Sequence, residues 1–411
     1  MKKVLFSLAS AILLFSACSN DEGVNSTTTE AGDLITKVSF DAITQKAASS
    51  TAIPITRWTN VKTIQLFLYN SVDGTVAFSD IIDDPASSSD KIFRWKNIPQ
   101  GTYDLALVAN IRSDVDNVAT SLNGGTSWVK YDPYNVRSKK INSEIFIDLK
   151  ESTFPVGHVF EANEVPYAPA SEVFTAYASS VKVEKGKTTD LAADKGALQL
   201  KREVSLMRIR IDKTNKPESA PALNTVDFAH AGNYLSVQTM PVGLGLKLDA
   251  FAGGIYGTAS DANRIMIASS GVNTYNNTNP AATDYDPTSI VDSNFTLWKD
   301  IQVLPNATRA EGKATDADAE VDRRYVVVLT GWAPKGYEYA DESIAPEAQP
   351  VYWSGTVKGV FSPNVIREVN MNIKSKGWPY RPKPQPEGEL LIEVGAPEDW
   401  NSNIETENLD V

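Results

Sequence analysis

The chain has 411 residues, of which 42% are hydrophobic, 9% aromatic and 22% charged, a composition that predicts a folded protein and argues against an intrinsically disordered one. The net charge of −12 is spread along the chain without a basic stripe, which argues against nucleic-acid binding. The 393 residues that follow Cys18 suffice for two or three domains of ~100–200 residues each.

The first 18 residues have the pattern of a lipoprotein signal peptide. Lys2 and Lys3 precede the mostly apolar segment Val4–Phe15, which is too short for a transmembrane helix of roughly 20 residues. The run Leu14-Phe15-Ser16-Ala17-Cys18 then resembles a lipobox, and Cys18 is the only cysteine in the chain. Because Cys18 has no disulfide partner within the chain, we predict that it is the lipidated residue. An ordinary secreted protein with a chance cysteine is the alternative.

Residues 19–57 are predicted to be a tether followed by a separate strand. The segment up to Asp33 is rich in Ser, Thr, Glu and Gly, which is typical of a linker. Leu34–Ile43 alternates in the manner of a strand, and the soft segment Gln45–Ala52 follows it.

Residues 58–197 are predicted to form a first β domain, with short helical insertions such as one around Val115–Leu122. Asp/Ser/Gly/Pro-rich connections separate its strand-like runs, which are Val61–Tyr69, Ile92–Trp95, Tyr103–Asn110, Glu144–Leu149 and Thr175–Val183.

Residues 198–375 are predicted to form a second β domain. It begins with Leu198–Ile211, the clearest β run of the chain. The later runs are Leu235–Met240, Leu244–Leu248, Ile265–Ala268, Asp300–Leu304, Tyr325–Trp332, Val351–Val360 and Arg367–Ile373. Many short strands with regular turn signals predict an all-β fold of two tandem antiparallel β-sandwich domains.

Residues 376–411 contain a Pro-rich spacer and a further strand. Prolines at 379, 382, 384 and 386 make the spacer semi-rigid. In the strand beyond it, Leu390, Ile392 and Val394 share one face by period two. A strand that is held away from its own domain is suited to pairing with another subunit. The alternative is that it completes the second domain of its own chain.

Residues suited to catalysis are scarce. His158 and His230 are the only histidines, and no G-x-S-x-G motif is present, so nucleophilic triads and histidine-rich metal sites are poorly supplied. The acidic run 316–322 lacks the glycine and terminal glutamate of an EF-hand loop. We therefore predict no enzyme activity, no metal and no cofactor.

Taken in order along the chain, several features resemble the fimbrillin family of Bacteroidales, the FimA-type pilins. They are the lipobox cysteine, the early strand followed by an arginine, the strand that ends in Leu68-Tyr69-Asn70, the run Leu200–Ile211 and the terminal strand with Trp400. The resemblance covers essentially the whole chain.

The resemblance implies transthyretin-like sandwich domains and a structural role in surface fimbriae. A lipidated precursor would reach the outer membrane through Cys18, and a trypsin-like protease would remove the N-terminal strand. A strand around Leu390, Ile392 and Val394 of a neighbouring copy would replace it. Arg57 is the only arginine between Cys18 and Arg94, so the cut is expected after Arg57, with Trp58 as the new N-terminus. Lys46 is the alternative for a lysine-accepting protease.

Other roles remain open. One alternative is a monomeric surface lipoprotein that binds a glycan or a host protein, and another is a fimbrial tip or anchor subunit. The terminal strand favours the shaft role, because a tip subunit is expected to lack a strand that it can donate.

Overall fold

The computed structural model describes the strands, the short helices and most of their connections. The described residues are 31–40, 58–112, 116–122, 127–128, 133–141, 143–153, 164–212, 225–228, 230, 232–238, 243–245, 255–256, 263–268, 297–306, 324–373, 375–380, 390–394 and 398–399.

The described part of the chain is nearly all β, which confirms the predicted fold class. In the first half the strands are β1 (Ala31–Phe40), β2 (Thr63–Tyr69), β3 (Val76–Asp83), β4 (Ile92–Pro99), β5 (Gly101–Ala109), β6 (Val118–Leu122), β7 (Ser127–Trp128), β8 (Ile145–Leu149), β9 (Val165–Tyr167), β10 (Phe174–Val183), β11 (Thr188–Asp190) and β12 (Leu198–Arg202). In the second half they are β13 (Ser205–Asp212), β14 (Tyr234–Gln238), β15 (Gly243–Gly245), β16 (Ile255–Tyr256), β17 (Asn263–Ala268), β18 (Leu297–Val303), β19 (Arg324–Ala333), β20 (Gln349–Lys358), β21 (Val365–Ile373), β22 (Leu390–Val394) and β23 (Glu398–Asp399).

Helices in the described residues are short. The α-helix α1 (Leu191–Lys195) begins at Asp190, whose carboxylate accepts the Ala193 N–H at 3.1 Å, and ends at Gly196, whose φ of 77° suits glycine. The 3₁₀ helices are Trp58–Asn60, Pro85–Ser87 and Pro133–Val136. The helix expected around Val115–Leu122 is wrong over β6, which pairs with β8.

Four sheets make up the described fold. The first runs β3–β2–β5–β10–β12–β1, with β11 also beside β1 and with β4 on the other edge of β1. The other three run β18–β13–β21–β22, β20–β19–β14–β17–β9 and β16–β15–β8–β6–β7. Most pairs are antiparallel, but β1 is parallel to β11 and β12, β13 is parallel to β21, and β17 is parallel to β9.

The first sheet is buried on both faces in its middle. Along β2 every residue is buried. Ile64, Leu66 and Leu68 enter the hydrophobic core that β1 also fills, whereas Phe67 and Tyr69 enter a second core shared with β13 and β21. Period two explains this division, because successive side chains of a strand point to opposite faces.

The chain changes sheet at Glu203 and Val204, in the middle of the run that the sequence presents as one strand. β12 pairs with β1 and β10 of the first sheet, whereas β13 pairs with β18 and β21 of the second. In strand pairing, the change of sheet comes after Arg202, and the domain boundary before Leu198 stays a prediction. The Glu203 N–H donates to Val173 O at 2.8 Å, and Val204 O accepts the Asn364 N–H at 3.0 Å.

Candidate functional site: the N-terminal strand and its groove

Strand β1 buries one face completely. Its even-numbered residues are buried and its odd-numbered residues are not, as the alternation of a strand requires. Leu34 and Thr36 are 0% exposed, Val38 is 2% and Phe40 is 5%. This segment is therefore part of the hydrophobic core.

Backbone hydrogen bonding holds β1 on both sides. Its antiparallel partner β4 matches six of its residues, from Ala31 opposite Pro99 to Lys37 opposite Ile92. On the other side, β11 matches residues 33–35 and β12 matches residues 38–40, both in parallel. We call the surface that β1 covers, between β4 on one side and β11 and β12 on the other, the β1 groove.

One end of the groove admits only glycine. A Cβ atom on Gly32 would lie 2.4 Å from Glu184 O and 2.9 Å from Lys187 O. These are backbone atoms of the turn between β10 and β11, so they cannot move aside as a flexible side chain would. Hydrogen bonds from Lys182 and Lys187 hold the pKa of the Glu184 carboxyl at about 2, so this exposed turn keeps its ion pairs at neutral pH.

An ion pair spans the groove on the solvent side. Arg94 on β4 donates to Asp33 Oδ2 from Nε at 3.1 Å and from Nη2 at 2.8 Å, and Nη2 also lies 3.3 Å from Thr188 Oγ1 on β11. The Arg94 side chain is 53% exposed. An exposed pair of this kind contributes about 0–1 kcal/mol, so its effect is on register more than on stability.

The middle of the groove contains a buried polar contact. Trp95 Nε1 donates to Thr36 Oγ1 at 3.0 Å, and both residues are at most 1% exposed. A buried N–H without a partner costs about 1–3 kcal/mol. Strand β1 therefore fills the groove and also supplies the acceptor that the buried Trp95 N–H needs.

The far end of the groove is aromatic. The Phe40 ring lies 4.8 Å from the Trp58 ring and 5.3 Å from the Phe174 ring, measured between centroids. Trp58 is half-buried and opens a 3₁₀ helix. The residue expected to become the new N-terminus therefore touches the strand expected to leave.

The terminal strand β22 has a simpler environment. It pairs antiparallel with β21 of its own chain, from Val369 opposite Val394 to Ile373 opposite Leu390. Within the described residues β22 lies at the end of its sheet and has one strand partner. The strand predicted for donation is thus paired in cis in this structure.

The structure describes only some of the predicted site residues. Trp58 is described with its side chain, and Leu390, Ile392 and Val394 are described by their backbone alone. Cys18, Lys46, Arg57, His158 and the acidic run 316–322 lie outside the described residues. Sequence patterns missed four residues of the groove, which are Gly32, Arg94, Trp95 and Phe174. Only Gly32 had a local signal in the sequence, because Gly32-Asp33 directly precedes the alternating run.

His230 is the histidine that lies among the described residues. His230 Nδ1 accepts the Gly232 N–H at 3.1 Å, and the His230 ring stacks on Trp332 at 3.9 Å between centroids. No group of three or more His, Cys, Asp or Glu side chains suited to a metal occurs in the described part of the chain. No helix among those residues has the length and hydropathy needed to cross a membrane.

Comparison with known proteins gave no matching family model and no matching curated protein. Among solved structures, the chain is similar to a proposed cell adhesion protein from Parabacteroides distasonis, with TM-score 0.46 and 11% identity over 90% of this chain and 98% of that one. It is also similar to the fimbrial anchor protein Mfa2 from Porphyromonas gingivalis, with TM-score 0.38 and 9% identity over 89% and 97%. A third is the tip fimbrial protein Mfa3 from Porphyromonas gingivalis with a C-terminal truncation, with TM-score 0.34 and 12% identity over 88% and 98%. Because identity and TM-score are low, the roles of these proteins are not carried over to the chain.

Proposed function

We propose that the chain is a structural subunit of surface fimbriae that polymerises by protease-triggered strand exchange. In this proposal Cys18 carries the lipid that holds the precursor at the outer membrane, and a trypsin-like protease cuts after Arg57. Strand β1 leaves, and β22 of another copy fills the β1 groove. The mature subunit then lies in a fimbrium on the cell surface, where it supports adhesion.

The observation that carries the proposal is the position of β1. It is buried and paired on both sides, yet residues 1–40 are joined to the rest of the chain only through residues 41–57. A single cut within that segment separates a core strand from its domain without breaking any other connection. Few internal strands of a sheet can be removed in this way.

An empty groove is strongly unfavourable, and this supplies the driving force for exchange. Burial of Leu34, Val38 and Phe40 contributes about 1.5–3 kcal/mol for each side chain, or about 5–9 kcal/mol together. The backbone groups of β4, β11 and β12 also lose their partners when β1 leaves, and such unpaired edges bind strands. A second strand is therefore required once the first has gone.

The backbone pairing available to β22 favours its transfer from β21 of its own chain to the β1 groove of another copy. In cis, β22 matches five residues of β21 on one side. The groove offers β4 on one side and β11 and β12 on the other, so a strand of the same length would gain a second ladder. Because each copy gives one strand and receives one, the contact is heterologous and produces open filaments.

Cleavage of the purified precursor tests the proposal. The wild type should be cut after Arg57 by an arginine-specific trypsin-like protease, which leaves Lys46 intact, and then form a series of polymers on a gel without boiling. Arg57→Ala should stay monomeric at the same protease dose, while the control Lys46→Ala should polymerise. If wild-type protein with a verified Trp58 N-terminus remained monomeric, polymerisation by strand exchange would be refuted.

A second candidate function is a monomeric surface module that binds a glycan or a host protein, or a fimbrial tip or anchor subunit. The cis pairing of β22 with β21 favours it, because a strand that completes its own sheet needs no neighbour. Deletion of residues 389–411 separates the two functions. A folded variant that no longer polymerises supports the shaft subunit, and an unfolded one supports the module.

A further inference from the structure

Two segments at opposite ends of the chain share a sequence pattern. Both have glycine, leucine and valine at the same spacing, an acidic residue after the glycine and an aliphatic residue after the leucine. Of the 24 glycines in the chain, only Gly32 and Gly388 are followed by an acidic residue. The two segments are Gly32-Asp33-Leu34-Ile35-Thr36-Lys37-Val38 and Gly388-Glu389-Leu390-Leu391-Ile392-Glu393-Val394.

Each shared position meets a physical requirement of the β1 groove. The place of Gly32 has no room for a Cβ atom, and Leu34 and Val38 are buried in the core. A strand that replaces β1 without rearranging the groove needs glycine, leucine and valine at these three places. Gly388, Leu390 and Val394 supply them at the required spacing.

The charge on the solvent side also agrees. Arg94 binds the Asp33 carboxylate across the groove, and Glu389 occupies the matching place in the second segment. Glutamate carries the same charge on a side chain one methylene longer, so a strand with Glu389 at the place of Asp33 would be able to pair with Arg94. A register shifted by one residue would instead put this carboxylate on the buried face.

We propose that the C-terminal segment of a second copy occupies the β1 groove in the register of β1, with Gly388 at the place of Gly32. The segment runs in the direction of β1, parallel to β11 and β12 and antiparallel to β4. This inference rests on the strand exchange proposed above and specifies its register, its direction and the residues that select the incoming strand.

One buried position distinguishes the two occupants. Ile392 stands at the place of Thr36 and has no hydroxyl to accept the Trp95 N–H, which Thr36 accepts at 3.0 Å. At this position β1 is therefore more complementary to the groove than the C-terminal segment that would replace it. The pattern also ends before the aromatic end of the groove, because Ala396 stands at the spacing of Phe40.

Disulfide trapping between two preparations tests the register. Lys37 lies opposite Ile92 on β4, and both are exposed, so Glu393 of the incoming strand should face Ile92. Opposed residues of antiparallel strands are close enough for a disulfide.

One preparation carries Ile92→Cys and the other carries Glu393→Cys, and both carry Cys18→Ser. The two preparations are cleaved at Arg57, mixed and then oxidised. Lys96→Cys, which is also exposed on β4, is the matched control for Ile92→Cys.

The expected result is a disulfide-linked dimer with Ile92→Cys, in at least about tenfold higher yield than with Lys96→Cys. Two results would overturn the register and leave strand exchange intact. In the first, polymers form and Glu393→Cys links to Lys96→Cys; in the second, polymers form and Glu393→Cys links neither to Ile92→Cys nor to Lys96→Cys. Cleaved protein that forms neither ladders nor disulfides would overturn both.

A gain of function tests the same register independently. Ile392→Thr should slow dissociation of the ladders in denaturant on the order of tenfold, because it restores an acceptor for the Trp95 N–H. Leu391→Thr, on the outward face of the proposed strand, should give no gain. The gain from Ile392→Thr should vanish when the receiving copy carries Trp95→Phe. A gain at 391 and none at 392 would indicate a strand slipped by one residue and contradict the proposal.

Discussion

Truncation of Leu34 measures how strongly β1 is held in its groove. Leu34 is 0% exposed and lies in the core that β1 shares with β2, β5 and β10. Replacing a buried leucine with alanine costs about 2–5 kcal/mol, because apolar contacts are lost and a cavity remains. The smaller value corresponds to roughly a 30-fold shift of the equilibrium toward release of β1. The matched control is Ile35→Ala, since Ile35 is the neighbour on the outward face, and we expect it to cost about 1 kcal/mol or less.

Hydrogen exchange of the uncleaved precursor, followed by mass spectrometry on peptides that cover residues 31–40, gives the local readout. Leu34→Ala should raise the exchange rate of these amides at least about 30-fold, and urea unfolding should give the corresponding change in free energy. After cleavage at Arg57 the same variant should polymerise faster. Equal exchange rates in Leu34→Ala and Ile35→Ala would refute the view that the even-numbered face anchors β1.

Two further substitutions examine the groove itself. Gly32→Ala places a methyl group 2.4 Å from Glu184 O, so we expect the folded protein to lose about 1–3 kcal/mol of stability, measured as a lower Tm. The control Ser39→Ala should leave Tm nearly unchanged, and equal Tm values for the two variants would contradict the close contact. Thr36→Val leaves the buried Trp95 N–H without its acceptor and should cost about 1–3 kcal/mol. The double variant with Trp95→Phe should cost less than the sum of the two single changes, and strict additivity would show that the contact contributes nothing.

The buried face of β1 was predictable because its pattern is local. Leu34, Thr36, Val38 and Phe40 recur at period two, and the structure buries all four. The strand begins three residues earlier than Leu34, at Ala31. Tight packing of Gly32 against the turn after β10 explains this difference, because that contact joins residues far apart in sequence.

Alternation predicted the strands of the run Leu198–Ile211 but not their division between two sheets. Glu203 is buried, and its Oε1 accepts the Thr175 hydroxyl at 2.5 Å, so a polar residue in mid-run marks the crossing. Arg208 is likewise 0% exposed, because a bidentate ion pair with Asp300 at 2.9 and 3.0 Å compensates its charge. Period two indicates which residues share a face and cannot indicate that a charged face is buried.

Strand partners were the part of the site that sequence could not supply. Pairing of β1 with β4, β11 and β12 joins segments about 60 and 150–160 residues apart, and no local pattern encodes such contacts. The alternation of Leu390, Ile392 and Val394 predicted a further strand, which the structure has as β22, but it gave no information on the cis partner β21. Val118–Leu122 was misassigned as helical because its short mixed sequence carries little periodicity.

N-terminal analysis of the assembled protein, recovered from the cell surface as polymer, tests whether β1 is removed before the subunits polymerise. We predict that every subunit in the polymer begins at Trp58 and that the fragment containing Cys18 and β1 is absent. Polymeric protein that still begins with an acylated Cys18 would contradict it, because the β1 groove would then still hold its own strand.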